Sequence, residues 1–106
     1  MKQTKNELLE PIENKVMNEF ANRVGVTPLQ IIAHNKSAHI CDIRHLYCKL
    51  RHERHGVTYA GTGREIGRTH TTVKYGVRRI NDLLYLNDKK IVAMWNKVRD
   101  ISGLYI

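Results

Sequence analysis

The sequence predicts an all-α domain of about six helices, and two kinds of pattern predict it. Apolar residues recur at helical spacing in several segments, as in the stripe formed by Val73, Val77, Ile80 and Leu84. Capping residues, prolines that follow them and glycines at segment ends separate these segments. We find no convincing strand, repeat or low-complexity run. Helices that each carry one apolar stripe must pack on one another, which gives a helical bundle.

The net charge is concentrated in the middle of the chain. The 106 residues have room for one domain and carry a net charge of +8. Ten Lys/Arg and three Asp/Glu lie between residues 36 and 80, a local charge of +7, so the remainder contributes +1. A concentrated basic segment favours a polyanionic partner over a uniformly solvated surface. The chain has no membrane-length apolar run and no signal peptide at its start, so we expect a cytoplasmic, nucleoid-associated protein.

We divide the chain into a flexible N-terminal segment, residues 1–10, and a single helical domain, residues 11–106. Pro11 suits the first position of a helix that runs to about Arg23 and is stopped by Gly25.

The next two helices are separated by a polar loop. Thr27 followed by Pro28 starts a short helix. Residues 34–39 form the loop, and a longer helix follows at about residues 40–54, closed by Gly56. A last helix is expected at about residues 88–101.

Residues 58–84 are predicted to form a helix-turn-helix. Thr58 caps a short helix, Gly67 allows a tight corner and Thr69 caps a second, basic helix. The first turn of this second helix is rich in hydrogen-bond donors and acceptors, which suits contact with the edges of base pairs. A plain helical hairpin with a polar cap is the alternative. The exposed face of the second helix should carry Thr71, Lys74, Tyr75, Arg78 and Asp82.

This stretch also resembles a known family. The string Gly67-Arg-Thr-His-Thr-Thr-Val73 is similar to the "GRDHTTV" signature of the C-terminal DNA-binding domain of the bacterial replication initiator DnaA. Residues 59–68 resemble that family's "sYpeIGrafGgR" segment with one glycine missing, and residues 36–50 resemble its basic loop and following helix. The resemblance covers roughly residues 12–100.

The resemblance implies a Trp-repressor-like fold that binds a short double-stranded DNA box. The recognition helix would enter the major groove and the basic loop the adjacent minor groove. Lys36 matches an arginine that reaches the minor groove, and Arg44 matches an arginine that holds the DNA backbone. The residues we expect to contact DNA are Lys36, Ser37, Arg44, His45, Arg68, Thr69, His70, Thr71, Thr72, Lys74 and Arg78.

Three positions depart from the family pattern. Thr69 replaces an aspartate that reads a base, and it is shorter and can donate as well as accept. Lys36 replaces an arginine and lacks its planar fork, and His45 replaces the usual glutamine. These changes leave the DNA-binding interpretation in place, but they do not fix the exact target sequence. Lys36 should favour A·T pairs at one end of the site, where the minor groove is narrow and its potential most negative.

The sequence has no nucleotide-binding loop, since its glycines fit neither G-x-x-x-x-G-K-[ST] nor G-x-G-x-x-G. We therefore expect no ATPase or other enzyme activity, no cofactor and no bound nucleotide. Double-stranded DNA is the expected partner, and we expect a monomer in solution. A transcriptional regulator or a plasmid or phage copy-control protein would share these features.

A metal site and an RNA-binding module are the remaining alternatives. Five potential ligands lie on one side of the third helix, where pairs four residues apart can chelate zinc: Cys41, His45, Cys48, His52 and His55. One straight helix cannot surround an ion with four ligands, so a residue from elsewhere would have to close the site. The two cysteines, seven residues apart on one helix, are too distant for a disulfide. The aromatic platform on strands that RNA modules use is missing.

Overall fold

The computed structural model describes residues 14–104, and this part of the chain is helical with no strand. Six α-helices follow one another, so the predicted all-α fold of about six helices is confirmed. A π-helical turn, Leu50–Arg54, continues the third helix. No helix among the described residues is long and apolar enough to cross a membrane. The helices are α1 Lys15–Val24, α2 Pro28–Ile32, α3 Ala38–Lys49, α4 Tyr59–Ile66, α5 His70–Tyr85 and α6 Lys89–Val98.

The first helix begins later than the sequence suggested. Asn14 has extended backbone and its side-chain oxygen accepts a hydrogen bond from the N–H of Met17 at 2.9 Å, so α1 starts at Lys15. A helix running unbroken from Pro11 to about Arg23 is therefore not formed, because the backbone at Asn14 is extended and its side chain caps α1 at Lys15. Pro11 itself and the segment 1–10 that we expected to be flexible lie outside the described residues.

Side-chain caps also begin the helices that follow α1. Thr27 forms a reciprocal capping box with Gln30, while Thr58 and Asp88 each accept a hydrogen bond from the backbone N–H three residues on. Ser37 caps α3 in the same way, so that helix begins two residues before the expected residue 40. The last helix is shorter than expected and ends at Val98 rather than at residue 101.

The core is built around α3, which packs mainly against α5 and also against α1 and α2. Its stripe of Ile43, Leu46, Tyr47 and Leu50 is fully buried. The stripe predicted on α5 is buried at its first three positions and half-buried at Leu84. Burying these faces against each other is what holds α5 in place, since apolar burial is the dominant favourable term in folding.

The corner between α4 and α5 turns on two glycines. Gly67 has a left-handed backbone, with φ of 69°, and its N–H bonds to the carbonyl of Gly63. The N–H of Arg68 reaches the same carbonyl at 2.9 Å. A Cβ on Gly63 would lie 2.4 Å from the carbonyl oxygen of Arg68. The chain can double back this closely only because Gly63 has no side chain.

Candidate nucleic-acid interface

The first turn of α5 is exposed, and some of its side chains have hydrogen-bonding groups that no other described residue uses. Thr69 caps the helix, and its Oγ1 accepts a hydrogen bond from the N–H of Thr72 at 3.3 Å. His70 and Thr71 follow it, both exposed and without a side-chain hydrogen bond to any other described residue. The cap holds the turn rigid, while the side chains beyond it keep donors and acceptors available.

The rest of α5 shows the two faces that its periodicity predicted. Val73, Val77 and Ile80 point into the core. The opposite face is exposed and carries Thr71, Lys74, Tyr75, Arg78 and Asp82. This face is therefore continuous with the open first turn.

Half of the basic residues in the segment 36–80 are engaged within the protein. Lys49, Arg51 and Arg79 form ion pairs with carboxylates, and Arg44 and Arg68 donate to backbone carbonyls. The other five are exposed and have no ion pair with any described residue. They are Lys36, Arg54, Arg64, Lys74 and Arg78.

Two of these free cations were not among the predicted contact residues. Arg64 lies on α4 and Arg54 in the π-helical turn. For Arg64 the sequence did contain a signal, since it precedes the helix-turn-helix corner and lies outside the apolar pattern. Arg79, in contrast, is on α5 but pairs with Asp42 of α3 at 2.5 Å, which makes it a link between the two helices.

The loop between α2 and α3 presents Lys36 to solvent. Asn35 accepts a hydrogen bond from the N–H of Ser37 at 2.8 Å, and the Ser37 hydroxyl caps α3 by accepting from the N–H of Ile40 at 3.2 Å. Ser37 is thus a structural residue as well as an exposed one. Lys36 is exposed and has no described partner, as a residue that reaches toward an external anion requires.

The side chain of Arg44 is turned into the protein. Its side chain is buried, with 6% exposure. Nε donates to the carbonyl of Ile31 at 2.7 Å, and Nη2 donates to those of Ala33 and Asn35 at 3.0 and 3.2 Å. Nη1 contacts the sulfur of Cys41 at 3.6 Å. Four of the five N–H donors of Arg44 are therefore used within the protein, which gives this residue a role inside the fold. Its contact with the DNA backbone stays a prediction.

Arg68 is likewise turned toward the protein. Its Nη1 donates to the carbonyls of Ile32 and Ile66, both at 2.8 Å, and its Nη2 donates to that of Ala33 at 3.0 Å. Burial and the neighbouring charge of Arg44 lower the pKa of Arg68. The half-buried guanidinium ties the helix-turn-helix corner to α2 instead of lying free beside the recognition tip, as the sequence suggested.

His45 is wedged between α3 and α5. Its ring lies against Gly76, where an added Cβ would be 2.6 Å from His45 Cδ2, and its edge meets the ring of Tyr75 with centroids 5.9 Å apart. Its Nδ1 is buried without a hydrogen-bond partner among the described residues. The ring is thus held between two helices, and the DNA contact expected of His45 stays a prediction. Burial and the charge of Arg79 lower its pKa.

The position of His45 predicts a pH dependence of stability. The groups facing it are Asp42, which favours the protonated ring, and Arg44 and Arg79, which oppose it. Because its folded pKa lies below the unfolded value of 6.5, the unfolded chain binds more protons between the two values. The free energy of unfolding should therefore fall as pH drops below about 6.5. His45→Gln should flatten that slope in denaturant melts.

A second histidine, His55, also has a lowered pKa and contributes to the same pH dependence. His55 is shifted in the same direction by burial, and it is retained in both proteins. A residual slope is therefore expected in the His45→Gln variant. Identical slopes in the two proteins would contradict the assignment to His45.

The five potential metal ligands of α3 and its extension are used in other ways. His52 Nδ1 bonds to the carbonyl of Val57 at 2.8 Å, and its ring stacks on Tyr59. His55 bonds through Nε2 to the carbonyl of Ile101 at 2.8 Å. Cys48 is a buried free thiol, and burial raises its pKa to about 12. Among residues 14–104, no three His, Cys, Asp or Glu side chains are grouped to hold a metal.

The resemblance to the initiator domain depends on the motif residues alone. No protein-family model, curated protein or solved structure matches the chain.

Proposed function

We propose that this protein binds double-stranded DNA sequence-specifically by placing the first turn of α5 in the major groove. The observation that carries the proposal is the exposed polar first turn of α5, continuous with a helix face whose cations have no ion pair within residues 14–104. His70 and Thr71 offer both donors and acceptors, and Lys74 and Arg78 follow on the same helix.

The arrangement matches what a duplex presents. The major groove admits an α-helix and displays a distinct pattern of donors and acceptors for each base pair. Lys74 and Arg78, farther along α5, would lie beside the phosphates that flank the groove. The buried stripe anchors α5 on α3, so the tip is held by the core and needs little ordering on binding.

The target that we propose is a short box of the kind bound by replication initiators. This rests on the resemblance of residues 67–73 to the initiator signature, with Lys36 of the exposed loop reaching the adjacent minor groove. A transcriptional or copy-control regulator would use the same interface, and the two roles differ in where the selected sites occur. Selection of bound duplexes from a random pool would identify the sequence.

Binding to a labelled duplex should weaken steeply with salt. If four phosphates are neutralised, affinity should fall about 100-fold between 50 and 200 mM salt, because counterions are released from the DNA. Fluorescence anisotropy at several salt concentrations measures the slope. The proposal would be refuted by failure to bind at the lowest salt, or by equal affinity for single-stranded competitors of the same sequence.

Thr71→Ala should flatten discrimination at one or two base pairs, by about 1–3 kcal/mol for each lost base contact. The matched comparison is Lys74→Ala on the next turn, which should weaken all duplexes alike and reduce the salt slope by about one. Affinities for the selected site and its single-base variants separate the two effects. An unchanged preference after Thr71→Ala would remove the tip of α5 from the recognition surface.

A further inference from the structure

The C-terminal end of α2 is held by two arginines from different parts of the chain. Arg44 comes from α3, and Arg68 comes from the corner between α4 and α5. The two guanidinium groups meet at the carbonyl of Ala33, to which each donates at 3.0 Å. Cations at this position also complement the negative end of the helix.

Each arginine extends the connection in a different direction. Arg44 also donates to Asn35, inside the loop that presents Lys36. Arg68 also donates to Ile66, at the end of α4, one residue before the corner glycine. A continuous set of hydrogen bonds therefore joins the Lys36 loop to the corner from which α5 starts.

We infer that Arg44 and Arg68 are positioning residues that fix the Lys36 loop relative to the tip of α5. The inference rests on the proposed function, and it assigns the two arginines an internal role in place of the DNA contacts that the resemblance implied. If the loop and the tip read adjacent grooves, their separation must be constant. These hydrogen bonds connect the two elements directly.

Replacing either arginine by lysine tests the positioning role. Arg44 spans three carbonyls with a planar fork, and an ammonium group on a flexible stem cannot reproduce that geometry. A phosphate contact would tolerate lysine much better, because lysine retains the charge. Arg44→Lys and Arg68→Lys therefore separate geometry from charge.

The first measurement needs no DNA. Amide hydrogen exchange of residues 34–37 should become faster in Arg44→Lys and in Arg68→Lys than in the wild-type protein. Arg78→Lys, at an exposed position of α5, serves as the matched control and should leave the loop unchanged. Thermal melting checks that each variant is folded. If the buried Arg44→Lys variant does not fold, the exchange rates of the Arg68→Lys variant alone test the positioning role. Unchanged exchange in the folded variants would overturn the positioning role.

The second measurement is a double-mutant cycle on two duplexes that differ only in an A·T or G·C flank. In the wild-type background, Lys36→Ala should lower affinity several-fold on the A·T-flanked duplex and less on the other. In the Arg68→Lys background, that flank-specific effect should shrink toward none, because the loop is no longer held in place. Non-additivity of this kind reports coupling between residues.

The outcomes distinguish the two proposals. Full additivity of Lys36→Ala and Arg68→Lys would overturn the coupling, even if both variants bind DNA more weakly. A wild-type protein that binds no duplex would overturn the proposed function, whereas the exchange experiment would still judge whether the arginines hold the loop.

Discussion

Replacing Gly63 by alanine should lower the free energy of unfolding by about 3 kcal/mol or more. The new Cβ would lie 2.4 Å from the carbonyl oxygen of Arg68 and 3.3 Å from the attached carbon. Both are backbone atoms of the helix-turn-helix corner, so no side chain can rotate away to relieve the clash. The corner would have to open, and with it the two hydrogen bonds that the Gly63 carbonyl accepts.

Gly61→Ala is the matched control, since it adds the same methyl group to the same helix. Its Cβ would meet only side-chain atoms, Val57 Cγ1 at 3.0 Å and Thr58 Oγ1 at 3.1 Å. We expect a change within about 1 kcal/mol, because the tight contacts offset the gain in helix propensity. Urea denaturation of both variants measures the difference. Equal stabilities would contradict the close approach of Gly63 to the backbone of Arg68.

Glu65→Ala should lower the free energy of unfolding by about 3 kcal/mol, because it leaves a largely buried charge without its partner. Glu65 accepts two hydrogen bonds from Arg51, at 3.0 Å from Nε and 2.8 Å from Nη2, and another from the hydroxyl of Tyr47. The Arg51 and Glu65 side chains are only 13% and 15% exposed. This network joins α4 to the α3 extension, so its loss should loosen the helix-turn-helix.

Two comparison variants isolate the cause. Asp82→Ala removes one carboxylate from the exposed face of α5, changes the net charge equally, and should alter stability by less than about 0.5 kcal/mol. Tyr47→Phe removes only the hydroxyl, which donates to Glu65 and accepts from the Asn14 side chain at 3.2 Å, and it should cost about 2 kcal/mol, the net contribution of two hydrogen bonds. A Glu65→Ala effect no larger than that of Asp82→Ala would contradict the assignment.

At the candidate interface, helical periodicity predicted which residues of α5 are exposed. Thr71, Lys74 and Arg78 were placed on an exposed face by helical periodicity, and the structure places them there. The resemblance to the initiator family placed Arg44 and Arg68 against DNA, whereas both side chains donate to carbonyls within the protein. Charge can be read from residue type, but whether a guanidinium faces solvent depends on where carbonyls from other segments lie.

The packing of His45 against Gly76 could not be predicted from the sequence either. Each is unremarkable in its own helix pattern, and no periodicity relates residues 31 positions apart. Only when α3 and α5 come together does the ring of His45 occupy the space that a glycine leaves on α5. An isolated glycine inside a helical pattern is a signal of close approach, but it does not say what approaches.

The sequence by itself determined the all-α class, the order of the helices, most of their caps and the buried stripe of α5, because each depends on residues within one or two turns. Tertiary structure alone decided that Arg51 and Glu65 pair, and that Arg44 and Arg68 converge on Ala33. Those contacts join residues far apart in the chain. Their geometry follows from how the helices pack, which local patterns do not encode.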